Sequence, residues 1–71
     1  MDKATVTADT LELILLNQQA LRAGIEELAL WIKQRGSVPA CDSVMIALQT
    51  LDANAEGIEQ GIRVLRAHSS N

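Results

Sequence analysis

From residue 11 to residue 65, apolar side chains recur at alternating steps of three and four. That is the period of an α-helix showing one stripe to a neighbour. In the first half the stripe reads Leu11, Gln18, Ile25 and Ile32, interleaved with Ile14, Leu21 and Leu28. In the second half it reads Cys41, Leu48, Ala55 and Ile62, interleaved with Val44, Leu51, Ile58 and Leu65. The two seams are expected to zip together with coiled-coil-like packing.

Punctuation sets the boundaries. MDKATVT reads as a mobile tail, and Thr7 or Asp9 as the N-cap of a first helix over about 9–35. Lys33 and Arg35 suit its negative end, and Gly36 suits the left-handed position after it. Ser37 can cap a second helix over about 38–67, with Pro39 in its first turn, where a missing N–H is harmless. A connector this short forces antiparallel neighbours. The pattern therefore predicts one all-α domain over residues 1–71, an antiparallel two-helix hairpin. Asn54 to Gly57 is where the second helix could kink or split, and the terminal SSN is expected to fray.

Several large apolar residues find no place in these seams. LELILL at 11–16 is apolar in five positions of six, and on a helix those five leave no gap much wider than about a quarter turn. Leu13, Leu15, Leu16, Leu30 and Trp31 on helix 1, with Met45, Ile46 and Val64 on helix 2, lie outside the predicted seam. A monomer rarely tolerates so much exposed apolar surface, so this set is the expected partner or oligomer interface. It suits a homodimeric four-helix bundle, a docking face for a different protein, or both. Gln18 falls within the seam, where a buried amide can fix register. Trp31 reads either as a lid over the closed end or as an interface anchor. Ala53, Gly57 and Gly61, and Ala20 with Gly24, form small-residue ladders that suggest a tight helix crossing.

Composition narrows the options. A chain of 71 residues buries only about 60% of its unfolded surface, so folds of this size usually need a staple. One cysteine and one histidine supply neither a disulfide nor a structural metal, which leaves association. Six basic against nine acidic residues, a net charge of −3 and dispersed lysines and arginines argue against reading nucleic acid. A lone Cys41 fits a reducing, cytoplasmic setting, and neither an export signal nor a membrane span is indicated.

Candidate chemistry is sparse. DANAEG at 52–57 looks like the start of a calcium loop, but the twelfth position is Arg63 where a bidentate glutamate belongs. Cys41 and His68 sit at opposite ends of one helix and cannot work as nucleophile and base. No enzyme, metal site or cofactor is expected.

With its length, its two-helix plan and the stretch ILLNQQALRAGIEELALWIKQRGS at 14–37, the chain resembles very short helical proteins made by temperate phages to disable host proteins. Within that class it looks most like the phage-encoded quorum-sensing anti-activators. The resemblance implies a small inhibitor that binds a LuxR-type transcription activator. A chaperone-like helical partner of a secretion subunit and a small-ligand sponge are the other expectations. The absence of a basic or aromatic lining weighs against the sponge.

Overall fold

The computed structural model describes residues 2–68, and the expected fraying of SSN lies outside them. Two helices form an antiparallel hairpin, α1 over Lys3–Gln34 and α2 over Val38–Ala67. The α2 boundaries agree with the sequence reading, and α2 runs unbroken through Asn54 to Gly57. Helix 1 starts six residues earlier than the pattern suggests. Asp2 is its N-cap, with Oδ1 accepting from the Ala4 N–H at 3.0 Å and Oδ2 accepting from the Thr5 hydroxyl at 2.8 Å. The apolar stripe does not point to Asp2 because it begins only later, and capping by a carboxylate needs no apolar neighbour. Asp9, one of the two expected caps, instead pairs with Arg66 across the hairpin.

Glycine chemistry closes the turn. Gly36 adopts φ 98°, the Gly36 N–H donates to the Lys33 carbonyl at 3.0 Å, and the Ser37 N–H donates to the Ile32 carbonyl at 3.2 Å. These two bonds satisfy carbonyls that the end of α1 would otherwise leave open, in the Schellman arrangement. Ser37 holds the N-cap position of α2, but its hydroxyl makes no cap bond.

The seam differs from the expected one on α1 alone. Ala8, Leu15 and Ala29 are buried, and Leu11, Gln18, Arg22 and Ile32 are half-buried; Ile25 is 38% exposed. With Ile25 these positions alternate in steps of three and four, the period that the sequence predicts. The second row, however, is Ala8, Leu15, Arg22 and Ala29 instead of Ile14, Leu21 and Leu28. Leu15 moves from the expected interface into the core against Ile62, with Leu11, Ala55, Ile58 and Leu65 around them. Ile14, Leu21 and Leu28 are exposed, Leu21 by 65%. Small Ala8 and Ala29 and the long stem of Arg22 let α2 approach the side that a count of large apolar residues disfavours. On α2 the seam is as expected: Cys41, Leu48 and Ile62 are buried, and Val44, Leu51, Ala55, Ile58 and Leu65 half-buried.

Candidate association face

The hairpin is a flat plank, 56 × 16 × 10 Å. Its two broad faces differ in kind. One carries the cross-helix ion pairs that Arg22 and Arg66 make. The Arg22 guanidinium grips Asp52 through Nε at 2.6 Å and Nη2 at 3.0 Å, while Nη1 reaches Glu26 at 2.6 Å. Near the open end, Arg66 donates to Asp9 at 3.0 Å and Glu12 at 2.9 Å. Gln19, Glu56, Glu59 and Arg63 line shallow grooves on this side. Hydrogen bonding to Arg22 holds the Asp52 carboxyl below its ordinary value, and the bonds to Asp52 and then Glu26 raise the Arg22 guanidinium further. Half-exposed pairs of this type add modest stability and fix how the two helices align. Of the expected interface residues, Leu16, Leu30 and Met45 fall on this charged side by helical phase.

The opposite face is uncharged. Between Val6 and Ile32 on α1, and between Ser43 and Leu65 on α2, helical phase brings no Asp, Glu, Lys or Arg to its middle; Glu27, in the same heptad position as Leu13, borders it beside Gly24, Leu28 and Trp31. Its α1 half is a ridge of Ile14, Leu21 and Leu28, with the half-exposed Trp31 and Leu13 along the outer edge. These join Asn17 and Gly24 in a second ladder of three- and four-residue steps, 14–17–21–24–28–31, beside the one that packs on α2. That is the spacing a further helix needs. The α2 half is a trough of small residues, Ser43, Ala47, Thr50, Asn54, Gly57 and Gly61. Leu11 and Gln18 of α1 line a groove with Asn54, Gly57 and Gly61. The expected interface residues Ile46 and Val64 are exposed along its far edge.

Four side chains change role. Ile14, Leu21 and Leu28, read from the sequence as hairpin seam, belong to the uncharged face, and Leu15 leaves the interface set for the core. Trp31 is not a lid: it is 52% exposed, and the Arg35 guanidinium stacks 4.5 Å from its ring centroid. The glycine ladders make no tight crossing within the hairpin, since a Cβ added at Gly24, Gly57 or Gly61 meets nothing within 4 Å. Gln18 keeps its predicted place in the seam, with its Oε1 buried and unpartnered among the described residues.

Other chemistry finds little support in the geometry. Residues 52–57 continue α2 as regular helix, and both oxygens of Asp52 are engaged by Arg22, so no calcium loop forms there. Cys41 is buried beside the turn, whereas His68 ends α2 with its ring Nδ1 bonded to the Val64 carbonyl at 2.8 Å. Among the described residues no group of three His, Cys, Asp or Glu is gathered to hold a metal ion. No helix among them is long and apolar enough to cross a membrane. Comparison with protein-family models, curated proteins and solved structures finds no match to this chain.

Proposed function

We propose that the protein is a non-enzymatic binding module that works by offering its uncharged face to an apolar helical surface of another protein. One observation carries the reading: over residues 6–32 and 43–65 the charges are kept off the middle of one broad face, on which Ile14, Leu21 and Leu28 stand exposed. Large apolar patches rimmed by polar residues mark association sites, and a ladder of helical period suits a helix as the partner element. The resemblance noted in the sequence supplies a candidate for what is bound, a LuxR-type transcription activator, and with it an inhibitory role by sequestration. Both statements are proposals. Co-expression with such an activator tests them. The activator should co-purify with the wild-type chain and be lost with Leu21→Asp, which places a charge in the ridge. An activator that stays free of the wild-type chain would remove the inhibitor reading.

A further inference from the structure

We infer that the uncharged face is occupied by a second copy of this chain, related by a twofold axis parallel to the helices, so that each α1 ridge lies in the other copy's α2 trough. The inference deepens the proposed function, because a partner helix would then compete with the second copy for one surface.

Area gives the first argument. The chain exposes 5278 Å², whereas a compact monomer of this mass exposes about 4,300 Å². The surplus of about 1,000 Å² is close to the roughly 800 Å² that each subunit contributes to a stable interface of standard size. A flat, two-layer stack removes that surplus by covering one broad face.

Register gives the second. Arg22 pairs with Asp52, and Arg66 with both Asp9 and Glu12, which sets the residues that share a height along the hairpin to within about one helical turn. At those heights Ile14 is level with Gly61, Leu21 with Asn54, Leu28 with Ala47 and Trp31 with the Ser43 turn of α2. A twofold axis parallel to the helices preserves height and exchanges α1 for α2. It therefore sets Ile14 over the partner's Gly61, Asn17 over the partner's Gly57, Leu21 over the partner's Asn54 and Leu28 over the partner's Ala47. At Gly24, where the ridge is lowest, the level residue is the larger Thr50. Large meets small at Ile14, Asn17 and Leu28, as interlocking helix layers require, while Leu21 meets the amide side chain of Asn54. An in-plane axis perpendicular to the helices would instead stack ridge on ridge and leave the glycines facing each other across a gap. Like charges do not oppose along the middle of the joint, because Glu27 and the Arg35 stacked on Trp31 lie at its edge. Three exposed mid-helix glycines, each about 1 kcal/mol worse than alanine in a lone helix, acquire a use in this arrangement and have none within the hairpin.

Sedimentation equilibrium with circular dichroism tests the inference on four chains: wild type, Leu21→Asp, Gly57→Leu and Leu16→Asp. The wild type should show about twice its 7.7 kDa mass at roughly 100 µM, with dissociation on dilution. Leu21→Asp and Gly57→Leu should each weaken the dimer by at least about 100-fold. Gly57→Leu is the sharper probe, since its side chain points into open space in the hairpin and improves helix propensity. Leu16→Asp, on the charged face, should keep the wild-type mass and helix content. Loss of the dimer in the two face variants supports the inference whether or not helicity falls with it, provided Leu16→Asp retains both. Mixing two single-cysteine chains on a Cys41→Ser background, one Leu28→Cys and the other Ala47→Cys, should give a 28–47 cross-link under oxidation. A 28–28 link in preference would overturn the parallel axis. A wild type that stays monomeric, or a Gly57→Leu chain that dimerises as the wild type does, would overturn the second copy as occupant. If such a monomer still bound the activator through Leu21, the proposed function would stand without it.

Discussion

Ile14 and Leu15 are adjacent, nearly equal in size and opposite in role, so truncating each to alanine tests the α1 register directly. Leu15 is 6% exposed and packs on Ile62 among Leu11, Ala55, Ile58 and Leu65. Leu15→Ala removes three carbon atoms from that cluster and leaves a cavity at the open end, which for buried leucines costs about 2–5 kcal/mol. A chain of 71 residues has a total stability of roughly 3.5–10 kcal/mol, so the loss is a large share of it. In thermal terms, about 3 kcal/mol lowers Tm by roughly 12–24 °C for a domain this small. Ile14 is 46% exposed, so in the hairpin it contributes roughly half of the 1.5–3 kcal/mol of a fully buried aliphatic side chain. Ile14→Ala should therefore cost about 1 kcal/mol by the same reasoning. Urea unfolding followed by circular dichroism, extrapolated to low protein concentration to remove association, gives both values. If Ile14→Ala proved the more damaging of the two, the register of α1 against α2 would be wrong by one position.

Two further outcomes follow from the polar groups. The Asp52 carboxyl is held below its ordinary 3.8 by hydrogen bonds from Arg22, and Asp2 is lowered by the Thr5 hydroxyl and then the Ala4 N–H. A carboxylate lowered in the folded state stabilises fully above its unfolded pKa, and that contribution is lost as pH falls through the folded value. Stability should thus decline below about pH 4, and Asp52→Asn should flatten the decline while lowering stability at neutral pH. A pH profile unchanged by Asp52→Asn would show that the Arg22 clamp is not formed in solution. Gln18→Met should raise the urea midpoint, because it removes a buried unpartnered Oε1, worth about 1–3 kcal/mol when left unsatisfied. A lowered midpoint would mean that the amide does more for the seam than its oxygen shows.

Helix count, antiparallel order and the turn could be read from the chain because each rests on local chemistry. Gly36 has to supply a positive φ, Pro39 fits a first turn, and a connector of this length admits no other path. The α2 seam was equally legible, since the large apolar residues outside its stripe, Met45, Ile46 and Val64, form no competing row. Helix 1 was not, because LELILL offers apolar side chains in every direction. Two stripes with the same period then compete for the seam, Leu11–Ile14–Gln18–Leu21 and Leu11–Leu15–Gln18–Arg22. Counting hydrophobic residues favours the first. The structure takes the second because Arg22 finds Asp52 and Glu26 there, and because Ala8 and Ala29 permit close approach. The signal that could have decided it lay in charge: the second register turns Glu27 to the outer edge and leaves the middle of one face without charge over the paired length. Of the residues expected at an interface, Leu13, Trp31, Ile46 and Val64 therefore lie at the edges of the uncharged face, Leu16, Leu30 and Met45 on the charged one and Leu15 in the core, while Ile14, Leu21 and Leu28 occupy the uncharged face's centre.

We propose that this protein associates with a second copy through its uncharged face. Side-chain oxidation by hydroxyl radicals, compared between dilute and concentrated protein, addresses that claim residue by residue. Leu21 and Leu28, both more than half exposed in the hairpin, should become protected on association, while Leu16 and Leu30 on the charged face keep their reactivity. Protection of Leu16 and Leu30 with Leu21 and Leu28 still reactive would contradict the account.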